Sequence, residues 1–117
     1  MITRITRNNK VYLSCGHVDM RKSINGLAAI VQGTFNLNPF DGTLFVFCNK
    51  NKDKIKVLKW DKDGFVLYYK RREKGRFKWP SLTEDKSTVN VSKEDLNRLL
   101  DGLIMEQFIP HKQYAVV

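Results

Sequence analysis

The fold is decided by LFVFCNKNKDKIKVLKWDKDGFVLYYKR, residues 44–71 of a 117-residue chain. Its first five residues, Leu44 to Cys48, are all apolar, which is typical of a central strand covered on both faces, or of a packed face backed by aromatics. Lys54 to Trp60 and Phe65 to Lys70 are predicted as two further strands, since apolar residues recur there and a polar turn precedes each one. Strands joined by turns this short form an antiparallel meander.

The residues before this stretch predict one short strand and one helix. Val11 to Cys15 has the composition of a strand. Asp19 is the expected N-cap residue of the helix, and Gly33 is its expected end. Apolar residues recur between them on one narrow stripe at helical spacing, at Met20, Ile24, Leu27 and Val31.

The residues after the meander predict shorter elements. Arg76 to Trp79 is a candidate fourth strand ended by a proline, and Ser87 to Val91 is a candidate edge strand. Ser92 and Asp95 resemble a capping box, which would open a helix that ends at Gly102.

These elements predict a single domain over residues 1–117, with a core at about 11–102 and a loose tail at about 110–117. A chain of this length can bury about two thirds of the surface that it exposes when unfolded, so one ordinary core suffices. The predicted fold class is α+β: an antiparallel β-meander of about four to five strands, packed on one face by an N-terminal and a C-terminal helix.

The charge is distributed unevenly along the chain. The whole sequence has 21 Lys and Arg against 12 Asp and Glu, a net charge of +9. Residues 50–78 alone hold twelve basic and four acidic residues, whereas residues 79–117 hold four and six. A segment with this much positive charge could be a disordered tail, but apolar residues recur throughout it. We therefore expect this segment to be folded and basic on one side.

The chain lacks the sequence patterns of most enzymes and of membrane proteins. No Walker loop, dinucleotide-binding glycine motif or zinc-protease motif occurs, so we predict no catalytic residue, cofactor or metal site. Cys48 is expected to be a buried, inert thiol, and Cys15 with His17 is a weak candidate for a catalytic dyad. Asp61 and Asp63 could serve a magnesium-dependent nuclease, but a hairpin turn explains them. Without a membrane span or a signal-peptide core, the protein is expected in the cytoplasm.

Strand alternation predicts a sheet with one apolar and one cationic face. Lys54 and Lys56 alternate with Ile55, although the adjacent pair Val57 and Leu58 requires either a bulge or burial on both faces. On such a face, cations could contact phosphates while aromatic rings stack on bases. The candidate nucleic-acid-binding residues are Lys54, Lys56, Lys59, Trp60, Lys70, Arg71, Arg72, Lys74, Arg76 and Lys78. The alternatives are an ordinary solvated surface, or an adaptor that docks on an acidic protein partner.

A second anion site is predicted at the start of the first helix. Arg21 and Lys22 would lie in its first turn, where positive side chains oppose the helix dipole unless an anion is bound. The alternative is that Asp19 caps the helix and both cations point into solvent.

The chain resembles a known family in two segments, CGHVDMRKSINGLAAIVQ at residues 15–32 and NPFDGTLFVFCNKNKDKIKVLKWDKDGFVLYYKRREKGRFKWP at residues 38–80. The family is the small accessory protein, of the TnpB type, encoded by the second open reading frame beside the transposase in bacterial mobile elements of the insertion sequence 66 type. The resemblance covers about residues 11–80. It implies a non-enzymatic helper in DNA transposition that is separate from the transposase. From the charge distribution we expect the basic sheet face to bind DNA at the element ends or to dock on the transposase–DNA complex, so that DNA and the transposase of the same element are the expected partners. An adaptor that docks on the transposase without contacting DNA is the alternative.

Overall fold

The computed structural model describes residues 10–100, which form one five-stranded sheet and two helices. The strands are β1 (Val11–Ser14), β2 (Leu44–Cys48), β3 (Lys54–Asp61), β4 (Gly64–Arg71) and β5 (Thr88–Val91). The helices are α1 (Ile24–Ala29), which continues into a π-helical turn (Ile30–Thr34), and α2 (Lys93–Leu100). None of the helices in this part of the chain is both long and apolar enough to cross a membrane.

The sheet combines the predicted meander with a parallel pair. Its strand order is β4-β3-β2-β1-β5, and β2, β3 and β4 are antiparallel neighbours as the short turns predicted. β1 is parallel to β2 because the chain crosses between them through α1, and such a crossover returns the chain in its original direction. β5 pairs antiparallel with β1 and forms one edge, which confirms the predicted edge strand.

The core lies on both faces of the sheet. β3 and β4 keep one continuous register without a bulge, so the adjacent residues Val57 and Leu58 are explained by burial on both faces. Leu58 packs with Phe45 and Phe47 on the face that α1 covers, which we call the α1 face. Val57 packs with Val46 on the opposite face.

The second helix and the segment 76–79 cover the opposite face, which corrects two expectations. Leu96 of α2 packs in the cluster that contains Val57, so the two helices do not share one face of the sheet. The segment 76–79 is irregular and is not a strand. Phe77 and Trp79 pack against this face, and the Trp79 indole Nε1 donates a hydrogen bond to the Ser14 carbonyl at 2.7 Å.

The helix starts differ in how well the sequence predicted them. α1 begins at Ile24, later than expected, and Ser23 occupies its N-cap position. Asp19 instead closes a preceding turn, where its carboxylate accepts the backbone N–H of Arg21. At α2 the Ser92 hydroxyl accepts the Asp95 N–H at 2.9 Å, which confirms the predicted cap. The predicted helix end at Gly102 and the tail at 110–117 lie outside the described residues.

Candidate nucleic-acid interface

Three loops meet at the end of the sheet where β1, β2 and β4 finish. The Val18 N–H donates to the Cys48 carbonyl at 2.9 Å, which ties the loop after β1 to the end of β2. The Phe77 N–H donates to the Lys52 carbonyl at 2.8 Å, so the segment after β4 lies against the β2–β3 turn. We call this region the basic end and define it as residues 17–22, 49–54 and 71–78.

The basic end collects most of the net charge of the protein. Its three segments hold ten cationic residues against three acidic ones. The cations are Arg21, Lys22, Lys50, Lys52, Lys54, Arg71, Arg72, Lys74, Arg76 and Lys78. Five of them are exposed and form no salt bridge within residues 10–100, namely Lys50, Lys52, Lys74, Arg76 and Lys78. A cation that is not engaged in a salt bridge is available to pair with an external anion.

The β2–β3 turn presents two cations that the sequence analysis did not select. The Asn49 side-chain oxygen accepts the backbone N–H groups of Asp53 and Lys54, both at 3.0 Å, and its amide donates to the Asp53 carboxylate. This amide donor, together with Lys54, lowers the pKa of Asp53 below its usual value. The side chain of Asn49 thus holds the turn, and the turn presents Lys50 and Lys52 to solvent.

Arg72 organises the segment that follows β4. Its Nε donates to the Lys74 carbonyl at 3.1 Å, and its guanidinium lies 5.4 Å from the centre of the Phe77 ring. Phe77 is 2% exposed, so it anchors the segment in the core. The flanking residues Arg76 and Lys78 are exposed, as the alternation predicted for this segment. Arg72 therefore positions its neighbours.

Besides Lys54, which pairs with Asp53, two arginines of the basic end carry their own counter-charge. The Arg21 guanidinium donates to the Asp19 carboxylate, at 2.7 Å for its shortest contact, and these hydrogen bonds lower the pKa of Asp19 to about 2. The Arg71 Nε donates to Glu73 at 2.8 Å. Both pairs are exposed to solvent, so their stabilisation is small, and the carboxylates offset part of the positive potential.

The second predicted anion site does not have the expected position at a helix start. Arg21 and Lys22 precede α1 and do not lie in its first turn. The backbone carbonyl of Lys22 has a structural role, because it accepts a hydrogen bond from the Lys56 ammonium at 2.8 Å. The same ammonium donates to the Met20 carbonyl at 2.8 Å and lies 5.9 Å from the Tyr69 ring. Lys56 therefore holds the loop 17–22 on the sheet.

The remaining predicted residues do not share one cationic face. Lys59 lies on the face opposite Lys56, its side chain is 8% exposed, and its ammonium is 3.3 Å from the Asp61 carboxylate. Lys70 also lies on this opposite face. Trp60 packs at the other end of β3, edge-on to Phe65 with ring centres 5.0 Å apart. The expected single cationic face is wrong because both faces of the sheet are covered.

An open groove of about 660 Å³ runs between the loop 17–22 and the β2–β3 turn. Its polar lining consists of Lys22 and Lys50, the carboxylate-bearing Asp19, and three neutral polar residues, His17, Asn49 and Asn51. Ammonium groups and side-chain amides can donate hydrogen bonds to phosphate oxygens. Within the groove, Lys22 and Lys50 are therefore the cationic groups that can contact a phosphate, while Asp19 is held by Arg21.

Comparison with known proteins assigns the chain to a family. Residues 9–109 match the family model of the IS66 Orf2 like protein. The chain belongs to this family. The chain is 39% identical over 97 residues to Uncharacterized protein y4hO of Sinorhizobium fredii (strain NBRC 101917 / NGR234), with 83% of each protein covered. It is 31% identical over 98 residues to Uncharacterized protein y4jC of the same strain, with 84% of this chain and 82% of the relative covered. No solved structure matches the chain.

Membership in the IS66 Orf2-like family indicates an accessory role in transposition. The match extends beyond Pro80, where the sequence resemblance ended, and includes β5 and α2.

The cysteines of this IS66 Orf2-like protein are both unpaired and buried. Burial raises the pKa of Cys48 to about 12, which outweighs the opposing effect of the nearby Lys52 ammonium. Burial likewise raises the pKa of Cys15, which disfavours the reactive thiolate, and His17 is exposed. Asp61 is engaged with Lys59, and no group of three or more potential metal ligands occurs within residues 10–100.

Proposed function

We propose that this IS66 Orf2-like protein is a non-enzymatic accessory factor of transposition that binds DNA through its basic end. The observation that carries the proposal is the convergence of ten cations and only three carboxylates from three separate loops. Neutralising phosphates releases counterions from DNA, and this release supplies most of the affinity of non-specific binding.

The geometry of the basic end favours contacts to the phosphate backbone over base reading. Its cations lie on turns and irregular segments, and no strand or helix of residues 10–100 projects from this end as a unit that could enter a groove. Phosphate contacts position a protein on DNA without selecting a sequence. We therefore propose binding with weak sequence preference, and selection of the element ends by the transposase of the same element.

Fluorescence anisotropy with a labelled DNA duplex, repeated at several salt concentrations, tests the DNA interaction. If about six phosphates are neutralised, log K should fall against log salt with a slope of roughly −5. The variant Lys50→Gln/Arg76→Gln should bind more weakly and with a shallower slope, because both side chains are exposed at the basic end. Affinity that does not change with salt, or no binding at all, would refute the DNA proposal.

A charge-matched variant distinguishes the effect of where the cations lie from the effect of the net charge of the protein. Lys62→Gln/Lys93→Gln also removes two cations, but Lys62 follows β3 and Lys93 is the first residue of α2, far from the basic end. We expect this control to keep the wild-type slope. Equal weakening by both double variants would mean that net charge, and not the basic end, governs binding.

The proposed partnership with the transposase has its own test. The two purified proteins should elute together in size-exclusion chromatography when DNA is present. Co-elution without DNA that persists at high salt would favour the adaptor alternative. Separate elution with and without DNA would contradict the partnership.

A further inference from the structure

One edge of the sheet is long, regular and uncharged over most of its length. β4 pairs with β3 through all eight residues in a continuous register, and no other strand of residues 10–100 pairs with it. Its first six residues, GFVLYY at 64–69, contain neither a charge nor a proline. Proteins usually protect such edges with lysines, prolines, bulges or a covering segment, because an open edge is a template for another strand.

The backbone groups available for pairing can be identified. The Arg72 N–H donates to the Asp53 carbonyl, which continues the β3–β4 ladder by one residue. Since hydrogen bonds to one neighbour alternate along an antiparallel strand, the even-numbered residues of β4 bond to β3. The odd-numbered residues therefore direct their N–H and C=O groups outward; they are Phe65, Leu67, Tyr69 and Arg71.

Two exposed aromatic side chains flank this edge. Tyr69 is 53% exposed and Phe40 is 48% exposed, and they are two of the three large hydrophobic residues that are exposed within the described residues. Phe40 packs against Phe65 with ring centres 5.5 Å apart, so its exposed part extends the surface of β4 near the β3–β4 hairpin. An apolar surface beside an open strand edge is typical of a protein interface.

We infer that β4 pairs with β4 of a second copy of this chain in an antiparallel, two-fold arrangement centred on Leu67. Such an axis is perpendicular to the sheet, so the two sheets join with their α1 faces on the same side. Tyr69 then lies opposite Phe65 of the partner subunit and beside the partner's Phe40. At each end of the interface Arg71, which pairs with Glu73 of its own chain, then lies beside the partner's β3–β4 turn, where the exposed Asp63 adds a second carboxylate.

In this register the β4 edge complements itself, which favours a second copy as its occupant, whereas neighbouring registers of the same dimer fit less well. Centring on Val66 would bring Lys70 beside the partner's β3–β4 turn, where Lys62 is exposed, and like charges that are close together repel each other. Centring on Tyr68 would place Arg71 opposite the partner's Phe65 and out of line with the partner's Asp63. Of these three registers, only the one centred on Leu67 both pairs the aromatic rings and brings Arg71 close to the partner's Asp63.

Analytical ultracentrifugation tests the inference directly. We expect the wild-type protein to sediment as a concentration-dependent dimer, and Tyr69→Lys to raise the dimer dissociation constant by at least about tenfold because it places a charge in the aromatic pair. Asp63→Arg should weaken the dimer by a similar factor, and Asp63→Arg combined with Arg71→Asp should restore it. Circular dichroism and urea midpoints establish that each variant is folded.

Disulfide trapping tests the register. In Leu67→Cys the new thiol lies opposite its own symmetry mate at a Cα separation of about 5.5 Å, within the range for a disulfide. In the control Tyr69→Cys the two new thiols lie about 13 Å apart along the strands and should not cross-link. A protein that is monomeric at every concentration, or a dimer indifferent to all these changes, would overturn the inference. If only the transposase occupied the β4 edge, the protein alone would be a monomer, and Tyr69→Lys would abolish its co-elution with the transposase.

Discussion

Both ends of the sheet contain lysines and carboxylates, but the two ends differ in how many of their cations are paired. At the basic end ten cations face three carboxylates, and five of those cations are exposed without a salt bridge within residues 10–100. At the other end, which we call the hairpin end and define as residues 40–43 and 59–64, Lys59 is buried against Asp61 and the lysines are balanced by aspartates. The difference shows that pairing and burial, and not the number of lysines, determine where an external anion can bind.

The position of a residue along β3 decides which end it belongs to. Lys54 begins the strand beside Arg71, and Lys59 lies about 17 Å further along it. This separation exceeds the Debye length of about 8 Å at physiological ionic strength, so the two lysines act on nearby ions independently. The ends can therefore be changed separately, and the following variants do so.

The largest effect is expected from Phe77→Ala. Phe77 is nearly fully buried and anchors the segment 71–78, so its truncation should lower the free energy of unfolding by about 3 kcal/mol. It should also weaken DNA binding, because Arg76 and Lys78 lose their fixed position. Urea denaturation and anisotropy measure the two effects. Phe40→Ala at the hairpin end is the control: its half-exposed ring should cost less than about 1.5 kcal/mol. Equal losses would contradict the anchoring role.

A smaller effect is expected from Lys56→Met. The ammonium of Lys56 donates to two carbonyls of the loop 17–22, and hydrogen bonds to charged groups contribute about 2 kcal/mol. Its removal should accelerate hydrogen exchange in that loop more than in β2 or β3. Lys54→Met is the matched control, because Lys54 forms only a partly exposed pair with Asp53. Unchanged exchange in the loop would mean that Lys56 does not hold it.

At the hairpin end, Asp61→Asn should cost about 1 kcal/mol of folding stability. The Lys59 ammonium is buried and loses its charged partner, but Asp61 itself is half-exposed, so the loss is smaller than for a fully buried pair. Thermal unfolding at low and high salt measures it. The salt slope of DNA binding should remain at the wild-type value. A shallower slope would mean that the hairpin end takes part in DNA binding.

The sequence predicted the strands better than their arrangement. Leu44 to Cys48 was identified in full because every residue is apolar, and the bounds of β3 and β4 were within one residue because short polar turns delimit them. The segment 76–79 was mistaken for a strand, since an extended chain has the same two-residue alternation whether it pairs within a sheet or lies across one. The parallel pairing of β1 was not foreseen, because it depends on where the crossover through α1 returns.

The candidate site was predicted in part. The cations around Arg72 and Arg76 were selected from their density in the sequence, and they do lie at the basic end. Lys59 was included because alternation cannot reveal that a lysine is buried against Asp61. Lys50 and Lys52 were passed over as turn residues, although a meander necessarily places the β2–β3 turn beside the end of β4. That topological rule was the available signal.

The smallest and sharpest comparison is between Lys52→Gln and Lys62→Gln. Both lysines are exposed, both lie in turns at the ends of β3, and both have positive φ, 61° and 55°. The two substitutions therefore impose the same backbone strain and the same change in net charge, and each should alter folding stability by less than about 0.5 kcal/mol. Only Lys52 lies at the basic end, so its loss should reduce the magnitude of the salt slope by about 0.9, as expected for one phosphate contact. Lys62→Gln should leave the slope unchanged. If anisotropy gave the same slope for both variants, the arrangement of charge at the basic end would have no part in binding DNA.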